Sequence, residues 1–424
     1  MYNLRIKITI FIVYGSVLAG VLALTSCRPQ SGKEGAEMIP VLEGNLVQEV
    51  SGVGVDARHS YFSKDAQGRS VFCWSEKVDT VNYVLTYAIY NGNEFSTPVK
   101  ITETVGLQVH GESMGKVLIN PKGVITAIFR LSTPTKENRF LGTTYYTQSK
   151  DGGKSWSVKT PLVTDPKSTS QSFYDIENLA DGTTGLVWLD NRKEDPDATG
   201  SSLYFGRFDE EGNYQGDKVV STGTCQCCRT DIFSDSLGVV HIAWRHIFND
   251  SIRDMAYVTS HDFGETFTSP LWMSKDNWAI NGCPHTGPSL AYARGKTVAT
   301  WFTLGGGKGV YFTQKGNGED VFAQRQLVDE EAKHPQMAAI DGSFVLVYEK
   351  IRGNLSEVVF HVFDENGEGA SRVISRKGSN ALYPVIINDQ GKMLVSWMEA
   401  ANNGYRIVYT KIDLSKDEML TLKN

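Results

Sequence analysis

Four of the chain's six cysteines fall in two short stretches, Cys225-Gln226-Cys227-Cys228-Arg229-Thr230 and Asn281-Gly282-Cys283-Pro284-His285. A cysteine acting only as a small buried hydrophobe is expected singly along strands, not bunched in loops rich in Gly and Pro. Two chemistries suit the bunching: a disulfide and a soft-metal site. In extended chain alternate residues share a side, so Cys225 and Cys227 point together with Cys228 away. Cys283 and His285 make a second pair at the same spacing. The four offer a Cys₃His set fit for Zn or Cu, with Cys228 as the alternative ligand. The tight Cys-x-Cys spacing leans towards copper. The competing reading is a disulfide from Cys283 to Cys225, Cys227 or Cys228, because connectivity cannot be read from spacing. Cys73, beside Trp74, reads as a buried thiol.

Which chemistry prevails depends on where the chain is sent. Arg5 and Lys7 precede an uncharged apolar run, Ile8 to Leu24, ending Leu24-Thr25-Ser26-Cys27. That is the pattern of a secretory signal. Its ending resembles the bacterial lipobox, which implies a signal peptide over 1–26 and lipidation of Cys27. Residues 27–39, rich in Gly, Ser and charge, read as a tether. The expected location is the bacterial cell envelope, lipid-anchored at the outer membrane, where disulfides can persist. A formal net charge of −6 leaves no basic footprint for nucleic acid. Membrane contact is expected through the lipid alone, and a glycan or a protein is the expected kind of partner.

The rest, 40–424, must hold the cysteines in place, and it is repetitive. Apolar strands end in an aromatic at Trp74, Phe129, Trp188, Trp244, Trp301, Tyr348 and Trp397. Their mean interval of about 54 residues is near the length of a propeller blade. Each follows a turn such as Asp65-Ala66-Gln67-Gly68 or Asn120-Pro121-Lys122-Gly123, suited to a tight hairpin. The pattern predicts an all-β propeller of four-stranded blades, seven in number, or six if one unit is irregular. The last unit lacks a fourth strand, and Val41 to Val50 is a strand with no first partner. Pairing the two closes the ring.

Two connections between third and fourth strands are more specific. Ser149-Lys150-Asp151-Gly152-Gly153-Lys154-Ser155-Trp156 matches the Asp-box, Ser-x-Asp-x-Gly-x-x-Trp. Ser260-His261-Asp262-Phe263-Gly264-Glu265-Thr266-Phe267 matches it with Phe for Trp. Ser149, Asp151, Gly153 and Trp156, like Ser260, Asp262, Gly264 and Phe267, are therefore structural. The Asp accepts backbone N–H groups, the Gly supplies positive φ and the aromatic plugs the turn. A degenerate copy stands at Phe363-Asp364-Glu365-Asn366-Gly367. With these boxes the chain resembles the sialidase-like superfamily, which implies a propeller whose Asp-boxes lie away from the ligand face.

The resemblance also implies candidate catalytic residues. The family binds its substrate carboxylate with an arginine triad and uses an Asp acid/base and a Tyr paired with a Glu. Arg58, in Arg58-His59-Ser60, is similar to the first arginine. Asp79 and Tyr383 loosely match the acid and the nucleophile, which points to an exo-sialidase type of glycoside hydrolase. Arg229 and Arg245 are candidates for the other anion-binding arginines. Against this stand seven blades where the family's enzymes have six, and cysteines their mechanism does not use. Five of eight histidines fall on the same face as the cysteines, which favours a functional face whatever its chemistry. A ligand-binding protein with a soft-metal or disulfide site between blades four and five is the first expectation. The hydrolase and a protein-interaction scaffold are the alternatives.

Overall fold

The computed structural model describes residues 46–363 and 367–414, within one compact unit, Ala36–Asn424. The expected signal peptide, the expected lipidation at Cys27, the expected tether and Asp364 to Asn366 lie outside the described residues. Seven four-stranded antiparallel sheets form a ring. The first blade is β2 (Ala57–Lys64), β3 (Ser70–Lys77), β4 (Tyr83–Ile89) and β5 (Val99–Ile101). The second is β6 (Lys116–Ile119), β7 (Ile125–Ser132), β8 (Gly142–Ser149) and β9 (Thr160–Pro161). The third is β10 (Gln171–Asn178), β11 (Thr184–Asp190), β12 (Ser201–Phe208) and β13 (Tyr214–Thr224). The fourth is β14 (Asp231–Ser234), β15 (Val240–Arg245), β16 (Met255–Ser260) and β17 (Leu271–Trp272). The fifth is β18 (Ser289–Ala293), β19 (Lys296–Thr303), β20 (Gly309–Gly316) and β21 (Gln326–Asp329). The sixth is β22 (Ala332–Ile340), β23 (Ser343–Arg352), β24 (Leu355–Phe363) and β25 (Gly369–Val373). The seventh, β26 (Ala381–Asp389), β27 (Lys392–Ala401) and β28 (Gly404–Ile412), takes β1 (Gln48–Glu49) as its outer strand. The expected seven-bladed propeller, closed by an N-terminal strand, is the fold found.

The recurring aromatics explain how the blades hold together. All seven are fully or almost fully buried on the second strand of their blade. Such strands lie between two layers, so both faces are covered and the residues run continuously apolar. A buried indole N–H needs an acceptor. Trp74 and Trp188 find one two residues on, at Glu76 Oε1 (3.3 Å) and Asp190 Oδ2 (3.1 Å), because alternate strand residues share a side. The apolar core divides into seven clusters, one at each junction of neighbouring blades. Closure is by hydrogen bonds: Gln48 pairs with Tyr409 and Glu49 with Val408, and Val50 N–H donates to Ile407 O.

The turns at 149–156 and 260–267 join the third and fourth strands of blades two and four. Asp151 accepts from the amides of Lys154 and Ser155 and from Ser155 Oγ, which holds its carboxyl below the usual range. Gly153 and Gly264 have φ of +87° and +90°. A Cβ there would lie 2.2 Å from Tyr87 Oη or 2.1 Å from Phe205 Cε1, rings of the preceding blades, so only glycine fits.

Candidate functional site

The loop 225–230 runs from β13 to β14 and opens with a turn. Cys225 N–H donates to Arg245 O at 2.9 Å, tying the start of the turn to the end of β15. The turn gathers three sulfurs. Cys225 Sγ lies 3.6 Å from Cys227 Sγ and 3.9 Å from Cys228 Sγ, and all three lie within 4.8 Å of one another. This differs from the extended-chain reading, in which Cys228 faces away. A turn does not alternate its side chains as a strand does, so the third sulfur joins the other two. The cluster packs into the core between blades three and four, with each residue at most 5% exposed.

Two arginines face the cluster. Arg253 Nη1 donates to Cys225 Sγ at 3.0 Å, and its Nε donates to Ile280 O at 3.1 Å. Arg245 is buried over the Trp278 ring and donates to the carbonyls of Arg253, Thr286 and Phe302. The three thiols divide one charge unequally. Hydrogen bonds from Cys227 and Cys228, helped by Arg253 and Arg245, pull the Cys225 thiol far below its ordinary range. Sharing with Cys225 pushes Cys227 up, and burial pushes Cys228 up to about 12. The arrangement favours a thiolate at Cys225 over one at Cys227 or Cys228.

Cys283 and His285 part company. Cys283 is exposed and lies outside the close group of three sulfurs. His285 turns towards the central channel, its ring 5.7 Å from that of His110.

The channel mouth is built from the first turns of the innermost strands. In blades one, three, six and seven a two-residue bulge interrupts the pairing, at 59–60, 173–174, 334–335 and 383–384. The first residue of each bulge is left-handed: His59, Phe173, His334 and Tyr383 have φ of 47° to 51°. Glycine is the low-strain choice at such a position, yet all four carry rings. Tyr383 stacks on His334 at 4.3 Å and meets His59 edge-on at 5.0 Å. His110 meets Phe173 at 5.5 Å. His334 Nδ1 pairs with Glu349 Oε2 at 2.9 Å, which leaves Nε2 as the ring's other polar edge.

The loop before β6 crosses this mouth. Glu112 receives Arg229 Nη1 on both carboxylate oxygens at 3.0 Å, and the amide of Gly287 at 3.0 Å. Arg229 Nη2 reaches the carbonyls of Pro288 (3.0 Å) and Pro335 (3.1 Å). Gly111 lies so close to the Tyr383 ring that a Cβ would sit 2.3 Å from it. Sequence reasoning missed Glu112. The available signal was that a buried arginine needs a buried carboxylate.

The residues implied by the sialidase resemblance are placed as follows. Arg58 is held by Asp56 through two hydrogen bonds of 3.0 and 2.9 Å and lies over Tyr405. Asp79 is exposed and accepts from the amides of Val81 and Asn82 and from Asn82 Nδ2, which lower its carboxyl. Tyr383 lies at the mouth, and burial, with the charges of Glu112 and Glu349, pushes its phenol up to about 12. Glu349 accepts from the Tyr383 amide at 3.3 Å.

No protein-family model and no curated protein matches the chain. Solved structures do. The polysaccharide lyase Uly1 is 12% identical over 88% of this chain and 93% of its own, with a TM-score of 0.53. A protein of unknown function from Dyadobacter fermentans is 14% identical over 87% of this chain and 99% of its own, TM-score 0.49. The NanB sialidase of Streptococcus pneumoniae is 11% identical over 87% of this chain and 70% of its own, TM-score 0.48. At such identity the likeness to Uly1 shows a shared propeller fold and leaves activity open.

Proposed function

We propose that the protein binds a soft metal ion, Cu(I), through Cys225, Cys227 and Cys228. The observation that carries this reading is the spacing of the sulfurs. Ligands about 2.3 Å from one ion in tetrahedral or trigonal arrangement lie about 3.8–4.0 Å apart. Cys225 Sγ is 3.6 and 3.9 Å from the other two. Thiolate-only coordination selects soft ions. A buried set of three suits Cu(I), whereas structural zinc takes four ligands. Three thiolates around Cu(I) carry excess negative charge, and Arg253 and Arg245 lie where they offset it. The lipid anchor expected at Cys27 would hold the site in the cell envelope.

The test is copper analysis of protein purified under reducing conditions, with a chromogenic Cu(I) chelator as competitor. One Cu(I) per chain is expected. Single Ser replacements of Cys225, Cys227 or Cys228 should each weaken binding by at least about a hundredfold, no less than the loss of a group that merely supports a ligand. Absence of stoichiometric soft metal from the wild type, or a disulfide within the trio under those conditions, overturns the reading.

A second reading rests on the four strained rings. Non-glycine residues held in the left-handed region cluster where strain serves function. His59, His334 and Tyr383 form one continuous wall of the mouth, of the sort that receives a carbohydrate ring. Release of sugar from a fluorogenic sialoside, lost in Tyr383→Phe, would establish the sialidase form of this reading. Binding of glycans without turnover would support a lectin-like form.

A further inference from the structure

The buried position of the three thiols raises the question of how an ion reaches them. Cu(I) in the presence of thiols travels as a thiolate complex, and exchange from such a complex needs an accessible incoming thiolate. Cys225, Cys227 and Cys228 are at most 5% exposed, so a carrier cannot meet them directly. Cys283 is exposed.

The segment that carries Cys283 is anchored at both ends on the two arginines of the cluster. Before it, Arg253 donates its amide to Trp278 O (2.9 Å) and its Nε to Ile280 O (3.1 Å). The same guanidinium donates Nη1 to Cys225 Sγ. After it, Arg245 donates Nη2 to Thr286 O at 3.2 Å, and Gly287 N–H donates to Glu112. Only Asn281 and Gly282 separate Ile280 from Cys283, so Cys283 can stray no more than about 10 Å along the chain from the Arg253 anchor. One exposed thiol is thus tethered beside the only buried trio found among the described residues.

Building on the copper reading, we infer that Cys283 is the entry ligand: it takes Cu(I) from a small-thiol carrier and passes it inward to Cys225. The Cys283 thiolate displaces one carrier thiolate from copper. Cys225, held by Arg253 Nη1, then bonds to copper. The second carrier thiolate leaves, and Cys227 and Cys228 replace it and Cys283. Copper stays Cu(I) throughout. Cys227 and Cys228 each lose a proton, and these two protons go to the two departing carrier thiolates, while Cys283 ends as the thiolate it began as. Arg253 is the positioning residue, since it bonds both the receiving sulfur and the backbone that carries the donor.

The experiment is stopped-flow loading from a glutathione complex of Cu(I), followed by the ultraviolet thiolate-to-copper absorption. Cys283→Ser should load at least about tenfold more slowly than wild type, because the accessible thiolate is gone. Its final stoichiometry and its affinity against the chelator should be unchanged. Cys283→His, which restores a ligand at the same place, should recover most of the rate, an outcome that a loop distortion would not give. Loading of Cys283→Ser at the wild-type rate overturns the inference. So does a lower stoichiometry, which would make Cys283 a resident ligand. The two readings fail in distinguishable ways. Wild type that binds no copper removes both, whereas wild type that binds copper while Cys283→Ser loads normally removes only the entry role.

Discussion

Arg253 Nη1 donates to Cys225 Sγ at 3.0 Å. The pair joins the loop after β15 to the turn before β14. It adds to the hydrogen bonds from Cys227 and Cys228 that favour a thiolate at Cys225. A charge-assisted hydrogen bond to a buried group is worth about 1.5–3 kcal/mol. Replacing Arg253 by Ala removes it and should raise the Cys225 pKa by about one to two units. Alkylation of the copper-free protein by iodoacetamide over a series of pH values, mapped by mass spectrometry, checks this. The pH at which Cys225 modification is half-maximal should move up by that amount in Arg253→Ala, and by less in Arg253→Lys. The same midpoint in all three proteins would show that the thiols alone set the ionisation.

Copper affinity should rise with pH with a slope that counts protons. Cys227 and Cys228 are pushed up and hold their protons at neutral pH, whereas Cys225 is pulled down and has already lost its own. Binding therefore displaces about two protons from the protein, and log K should climb by about two for each pH unit between 6 and 8. Competition titrations, corrected for protonation of the chelator, measure the slope. A slope of three would mean that Cys225 is a thiol, and a slope near zero that thiolates are not the ligands.

The fold was legible because its signal is periodic and physical. Trp74, Phe129, Trp188, Trp244, Trp301, Tyr348 and Trp397 each fill the same place, so the repeat appears in composition before any pairing is known. The unpaired N-terminal strand and the short last unit pointed to one another, and Gln48 to Glu49 pairs with β28. The sites were legible only in part. Cys225 and Cys227 were expected together, but a two-residue strand period placed Cys228 outside, whereas the turn wraps it in. The left-handed bulges were invisible, because His59, Phe173, His334 and Tyr383 are not glycines and nothing in their types announces positive φ. Glu112 was invisible for another reason: its partner Arg229 is 117 residues away, and only ring closure brings blades two and four across one channel.

Ring closure makes its own prediction. β1 contributes the pairs Gln48–Tyr409 and Glu49–Val408, a bond from Tyr409 Oη to Gln48 Oε1 at 2.6 Å, and one from the Ile407 amide to Ser51 Oγ at 3.1 Å. A chain starting at Gly52 loses all of them and exposes the edge of β28. At about 1 kcal/mol for each hydrogen bond, the loss is several kcal/mol, a large share of a domain's stability. Its melting temperature should fall, and hydrogen exchange should quicken first in Gly404–Ile412. Unchanged exchange in β28 would show that closure rests on side-chain packing alone.

Backbone strain at the mouth can be tested at His285, which is exposed and has φ of 51°. A non-glycine residue there costs about 1–2 kcal/mol, part of which a glycine returns through its own greater chain entropy. His285→Gly should therefore change stability by no more than about 1 kcal/mol in either direction, while His285→Val, branched at Cβ, should destabilise. Urea unfolding of the two variants measures the contrast. Destabilisation of His285→Gly beyond about 2 kcal/mol would mean that the ring is held by packing and that its strained backbone serves the fold.

Acid should unfold the propeller through two imidazoles, one buried and one half-buried. Burial depresses His59 to about 3 and His246 to about 4. Both are neutral in the folded state at pH 6, while in the unfolded chain they take up protons below their ordinary value of 6.5. The unfolded state thus binds more protons as pH falls, so stability is full above about pH 6.5 and declines towards pH 4. Each group contributes a slope of up to about 1.4 kcal/mol per pH unit through that window. His246 is the better one to replace, because it is half-buried and its ring contacts are Phe248 and Trp244, whereas His59 packs on Tyr383. In His246→Gln the decline between pH 6.5 and 4 should be shallower by roughly the slope of one group. Urea titrations of both proteins at half-unit steps of pH give the difference curve. If that curve is flat, His246 is already protonated in the folded state, and the acid sensitivity must be assigned to His59 and the carboxylates instead.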